Sequence, residues 1–161
     1  MATTQDDVVW LLDVMDGLGI TPVLAGGWGV DALAGRQTRE HRDLDVLVPE
    51  SFVAPLVEAL IDLSFSISTD WLPVRVELTD ERADRHIDIH PAFGDGRQGW
   101  WQHGFDGQRF ESPQETLTNG TIGGRSVRCF TAAKQLELRQ GAPHRPEDLH
   151  DIAVLDRLAD P

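Results

Sequence analysis

The sequence predicts an α/β (α+β) fold: a mixed β-sheet flanked by helices, with further helices at the C-terminal end. Three observations predict it. The first part of the chain alternates helical and strand signals, the apolar period falls to two from Phe65 onward, and helix openers return at Thr131 and Pro146.

Taken in order, residues 6–18 carry Val9, Leu12 and Met15 or Asp16 at helical spacing, and Gly19 stops that helix. Pro22 opens a short apolar strand, Val23–Ala25. Gly26-Gly27 turns the chain, and residues 28–33 read as a helix ended by Gly35. A polar connection over 36–42 leads into a strand that Leu44 and Val46–Val48 complete through two aspartates. Pro49, Glu50 and Ser51 start a second clear helix, with Phe52, Leu56, Ala59, Leu60 and Leu63 on one face. Residues 64–69, 74–78 and 86–90 read as strands separated by turn-rich polar segments. The glycine-rich aromatic stretch 94–110 predicts a loop or irregular hairpin, and Gly123-Gly124 between Ile122 and Val127 predicts a tight hairpin. Thr131 caps a helix through Arg139, and Pro146 begins a last helix to about Leu158. No internal repeat or low-complexity segment interrupts this order, so residues 1–161 are expected to form a single domain.

The chain has 161 residues, 27 acids against 14 bases, and a net charge of −13. A broad surface of that sign repels nucleic acid and anionic membrane and attracts a small cation. No apolar run approaches the roughly 20 residues of a membrane span, and the first turns are acidic rather than basic, so a cytoplasmic protein is expected. The lone Cys129 excludes an internal disulfide and a cysteine zinc cluster. Lys134 is the single lysine, which makes the run Arg36, Arg39, His41 and Arg42 a local excess of base in an acidic chain.

Asp43 and Asp45 alternate with Leu44 and Val46. Strand geometry points both carboxylates to one side, about 6.5–7 Å apart at Cα. Unpaired carboxylates on a buried strand are costly, and a divalent cation is the simplest compensation. Asp88, in the alternating string His86-Ile87-Asp88-Ile89-His90, supplies a third acid if its strand lies beside the first. Such a set suits Mg²⁺ and in-line phosphoryl or nucleotidyl transfer. The same string also admits a zinc reading through His86, Asp88 and His90, although three ligands on one straight strand converge poorly. Gly26 and Gly27, between a strand and a helix, let backbone N–H groups approach a phosphate. Arg39, with Arg36, His41 and Arg42, supplies cations for a triphosphate. Trp100 and Trp101 are candidates to stack on or cover an acceptor, and His90 to stand beside it.

These residues carry a family resemblance. The string GGWGVDALAGRQTREHRDLDVLV and the segment HIDIHPAF resemble the small antibiotic nucleotidyltransferases, both lincosamide nucleotidyltransferases and aminoglycoside 2″-nucleotidyltransferases, within the nucleotidyltransferase superfamily. The resemblance implies a nucleotidyltransferase fold. It implies Asp43 and Asp45 as Mg²⁺ ligands, Asp88 as a further ligand or general base, and Gly26, Gly27, Arg39 and Lys134 as contacts to ATP or another nucleoside triphosphate. Where many members of the superfamily carry Ser after the first glycine, this chain has Gly27 and then Trp28. Asp31 is read as an anchor of the helix, and Asp148 and Asp151 as structural. The reaction implied is transfer of a nucleoside monophosphate, AMP from ATP first, to a hydroxyl of a small cationic antibiotic with release of pyrophosphate. Two alternatives stay open: a protein-hydroxyl acceptor of the toxin–antitoxin type, and a non-catalytic nucleotide- or metal-binding module. Pairing into a homodimer also stays open, since a small domain covers a large acceptor poorly and related enzymes often pair.

Overall fold

The computed structural model describes residues 2–141 and 143–159. Alternation of apolar and polar residues builds its centre. Seven strands form one mixed sheet: β1 (Val23–Ala25), β2 (Leu44–Pro49), β3 (Ser66–Trp71), β4 (Arg75–Asp80), β5 (Arg85–Ala92), β8 (Leu117–Ile122) and β9 (Arg125–Phe130). Their spatial order is β3-β4-β5-β2-β1-β9-β8. The β2–β5 and β1–β9 pairs are parallel and the remaining pairs antiparallel. Strands β6 (Gly99–His103) and β7 (Arg109–Pro113) form a separate antiparallel hairpin, tied to the end of β5 by a bridge from Trp101 to Phe93.

Helices α1 (Gln5–Gly17) and α3 (Glu50–Asp62) supply apolar side chains to the larger core. There Val8, Leu11, Met15, Val53, Leu56 and Leu60 meet Leu44, Val46, Val48, Val76, Leu78, Ile87 and Ile89. Burying each such side chain contributes about 1.5–3 kcal/mol. Both helices sit where their signals place them, with buried faces differing slightly from the expected ones. In α1, Val8 and Leu11 are inside while Val9 is only partly buried, and in α3, Val53 replaces Phe52 and Leu63 is exposed. Helical spacing fixes a stripe; the sheet beneath selects which edge of the stripe goes inward.

Helix α2 (Gly26–Ala34) packs through Val30 against Val154 and Leu155 of α5 (Pro146–Ala159), with Ala132 and Leu136 of α4 (Ala132–Leu138) alongside. Thr131 caps α4 by accepting the Lys134 N–H. The expected Gly123-Gly124 turn joins β8 to β9. The aromatic stretch resolves into the β6–β7 hairpin, with Phe105–Gly107 as a short turn at its tip. Among the described residues, no helix is long and apolar enough to cross a membrane.

Candidate active site

Because side chains alternate across a strand, β2 and β5 divide their residues between two faces. Leu44, Val46, Val48, Ile87 and Ile89 point into the large core. Asp45, Asp88 and His90 are left on the other face, and the parallel register sets Asp45 directly beside Asp88. Two strands that are distant in sequence thus bring their acids together. Asp43, immediately before β2, keeps the same parity and lines the same cleft as Asp45.

The Nε2 atom of His90 lies 3.5 Å from Asp45 Oδ1 and 3.6 Å from Asp88 Oδ2. One ligand atom from each of these three residues falls within 4.8 Å of the others. Arg75 Nη1 donates to Asp88 Oδ2 at 2.6 Å, while Asp88 Oδ1 is buried without a hydrogen-bond partner among the described residues. Burial, reinforced by the charge of Asp45, pushes the Asp43 carboxyl up to about 6, with Asp88 and Glu77 adding and Arg42 opposing. Burial also raises Asp88; His90 and Arg75 oppose, and Asp45 adds. His90 is raised despite its burial, because it hydrogen-bonds Asp45 and faces the charges of Asp45 and Asp88. Raised carboxyls and an orphaned buried oxygen mark a group short of positive charge, and the donor set fits a divalent cation.

The glycine turn meets these acids edge-on. Gly26 opens α2 with φ +59°, and a Cβ there would lie 2.3 Å from Asp45 Oδ2. Only glycine accepts both that backbone and that approach. Among the described residues no side chain caps α2, and Gly26 and Gly27 at its start line the cleft. The cleft has a volume of about 410 Å³; Arg39, Arg42, Arg139 and Arg145 line it together with Asp43 and Asp45, and Glu40, Glu147, Asp148 and Asp151 add further acids.

Arg39 grips Asp151 of α5 through Nε at 2.8 Å and Nη2 at 2.9 Å, and Arg139 reaches the same carboxylate at 3.2 Å. These contacts hold the Asp151 carboxyl below the usual range in spite of its burial. Asp151 is therefore the pin between the 36–42 connection and the C-terminal helices, in line with its structural reading. Asp31, fully buried, accepts hydrogen bonds from Thr38 Oγ1 and His41 Nε2, each at 2.5 Å, which fastens the same connection to α2.

Asp43, Asp45, Gly26, Gly27 and Arg39 thus share one cleft, and Asp88 and His90 adjoin it through Asp45. The other expected site residues lie elsewhere. Lys134 is buried, donates to the Glu111 carbonyl at 3.0 Å and pairs with Glu137 at 3.3 Å. It does not line the cleft; Arg139 and Arg145 supply cations there instead. Trp101 stacks on Phe93 at 4.6 Å under the guanidinium of Arg109, and Trp100 packs on Val23, Leu47, Ala92 and Phe130. Both tryptophans anchor the hairpin to the sheet.

Two neighbours escaped the sequence reading. Glu77 pairs in register with Asp88 across β4–β5, and Arg75 bridges the two acids, 4.0 Å from Glu77. The alternation Val76-Glu77-Leu78 repeats that of Ile87-Asp88-Ile89 and was the available signal.

Known proteins resemble this chain in sequence and fold. The family model of aminoglycoside-2″-adenylyltransferase matches residues 7–155. The chain is 29% identical to a lincosamide resistance protein of Staphylococcus haemolyticus, with 96% of each chain covered. It is 31% identical to a 2″-aminoglycoside nucleotidyltransferase of Klebsiella pneumoniae, covering 80% of this chain and 69% of that one. A lincosamide antibiotic adenylyltransferase solved with lincomycin bound superposes with a TM-score of 0.89 at 28% identity, over 98% of this chain and 99% of that one. The expected nucleotidyltransferase fold is therefore the observed one. The chain belongs to the aminoglycoside-2″-adenylyltransferase family and is a nucleotidyltransferase.

Proposed function

We propose that the protein transfers AMP from ATP to a hydroxyl of a small cationic antibiotic, a lincosamide or an aminoglycoside, and releases pyrophosphate. One observation carries this reading: Asp45 and Asp88 are paired in register beside a glycine-led helix start, and Asp88 Oδ1 has no hydrogen-bond partner among the described residues. Asp43, Asp45 and Asp88 would hold a divalent cation, Mg²⁺ in this reading, which would neutralise the triphosphate and polarise its α-phosphoryl group.

The remaining steps fall to the chain's own groups. The backbone of Gly26 and Gly27 and the guanidinium of Arg39 hold the phosphates. The acceptor oxygen attacks the α-phosphorus, and its proton passes to the Asp88 carboxylate. The bond from the α-phosphorus to the bridging oxygen breaks, and pyrophosphate leaves with the electron pair. Arg75, on Asp88 Oδ2, holds the orientation of the carboxylate. His90, beside both acids, would contact the acceptor. Positioning and charge neutralisation supply most of the acceleration.

For the acceptor, the near-complete coverage of the lincosamide relatives favours a lincosamide, and the net charge of −13 suits either cationic class. Purified protein incubated with Mg²⁺, ATP and a panel of both classes is expected to release pyrophosphate and yield an adduct heavier by one AMP. No adduct from either class with any of the four triphosphates would overturn the substrate assignment.

A further inference from the structure

We infer that Trp71 and Phe105 form the platform on which the acceptor sits, and that its occupant is the sugar ring of a lincosamide. The inference rests on the nucleotidyl-transfer reading and deepens it by naming what selects the acceptor.

The direction of transfer sets where such a platform has to be. In-line displacement puts the attacking and leaving oxygens on opposite sides of the phosphorus. With the phosphates held at Gly26 and Gly27, just after β1, pyrophosphate leaves on the β1 side of Asp45. On the other side of β2 the sheet continues through β5, β4 and β3. The acceptor therefore approaches across those three strands, past Asp88.

Two exposed aromatic side chains meet there. Trp71 ends β3 and pairs in register with Arg75 of β4, so both lie on the face that carries Glu77 and Asp88. Phe105, at the tip of the β6–β7 hairpin, meets the Trp71 ring edge-on, with centroids 5.6 Å apart. Trp71 is 51% exposed and Phe105 54%. Large apolar rings brought together at the surface from distant segments mark a binding surface more than a core. The link to the chemistry is one guanidinium long. Arg75 Cζ lies 4.6 Å from the centroid of the Trp71 ring, and Arg75 Nη1 donates to Asp88 Oδ2 at 2.6 Å. An acceptor lying against the two rings thus borders the carboxylate that takes its proton.

The same residues choose the occupant. A sugar lays its apolar C–H face on an aromatic ring and keeps its hydroxyls at the edge. The charge of Arg75 beside Trp71 disfavours an ammonium group on that sugar. The sugar of a lincosamide carries hydroxyls and no ammonium, whereas the rings of an aminoglycoside carry several. Trp100 and Trp101 are packed at the base of the hairpin, so the aromatic contact falls to Trp71 and Phe105.

Phe105→Ala removes half of the platform and leaves the stack of Trp71 on Arg75 in place. With Mg²⁺, ATP and lincomycin, Phe105→Ala and Trp71→Ala are each expected to raise the KM for lincomycin about five- to thirtyfold, as for loss of an aromatic anchor. The KM for ATP should be unchanged, and Trp71→Phe should keep most of the lincomycin affinity. Tryptophan emission should change as lincomycin is added to the wild-type protein, and that change should shrink in Trp71→Phe. A wild-type lincomycin KM in both alanine variants, or an emission change undiminished in Trp71→Phe, would overturn the platform. So would a fall in kcat alone, which would reduce Trp71 to a support for Arg75. Transfer to aminoglycosides but not to lincomycin by the wild-type protein would overturn the occupant. Transfer to neither class would overturn the nucleotidyl-transfer reading and the platform with it.

Discussion

The two faces of β2, β4 and β5 are built from the same strands yet do opposite things. One carries Leu44, Val46, Val48, Val76, Leu78, Ile87 and Ile89, all at most 1% exposed. The other carries Asp45, Glu77, Asp88 and His90 within a few residues of those side chains. The apolar face gains free energy from every contact. The acidic face concentrates like charges, relieved in part by Arg75 and Arg42. Stability and chemistry are thus separated by a rotation of half a turn per residue, and the apolar face holds the acids where they would otherwise repel one another apart.

This contrast can be broken from either side. The largest effect is expected from Asp88→Asn, which keeps the shape of the acidic face and removes the carboxylate to which the proposed reaction assigns the acceptor proton. Turnover should fall by about 10²–10⁴-fold, with the thermal midpoint preserved or raised. Steady-state kinetics beside a thermal melt checks both halves; an active Asp88→Asn enzyme would remove Asp88 from the chemistry.

Ile87→Ala, one residue away on the other face, should do the reverse. Loss of a fully buried side chain is expected to cost about 2–5 kcal/mol in denaturant unfolding. The specific activity of the folded protein should stay within a few-fold of wild type. A selective loss of turnover without loss of stability would mean that the two faces are not separable.

Asp43→Asn sharpens the comparison through pH. A carboxyl raised in the folded state takes up its proton there before it does in the unfolded chain. Metal-free protein should therefore be favoured by this group below its ordinary value of 3.8 and lose that contribution as pH rises through about 6. Asparagine should flatten this dependence and, at pH 7 with a chelator, add stability on the order of 1–3 kcal/mol. Mg²⁺ should then raise the wild-type midpoint more than the variant's. Identical pH profiles for the two proteins would show that Asp43 is not held under charge strain.

Much of this site is legible in the sequence, because its signals are local. The alternation of Leu44-Asp45-Val46 and Ile87-Asp88-Ile89 already assigned each acid to a polar face, and glycines at 26 and 27 marked a turn into a helix. Arg39 and His41 were visible as base beside acid. Less legible were partners set by long-range packing. Glu77 became a neighbour of Asp88 only through the β4–β5 register. Arg39 was drawn to Asp151 across 112 residues of chain. Lys134 and the two tryptophans carried suggestive chemistry, but the partners they meet lie outside the cleft.

What the sequence by itself determined was the parity of each strand, the helix starts and the inventory of acids and bases, since periodicity and capping depend on residues a few positions apart. Only the tertiary structure decided which strands lie side by side, and hence that Asp45 meets Asp88. It also decided that the His41 ring and the Arg39 guanidinium close over Gly27. Those outcomes depend on burying the shared apolar face of distant segments, and no local pattern specifies which partner completes that burial.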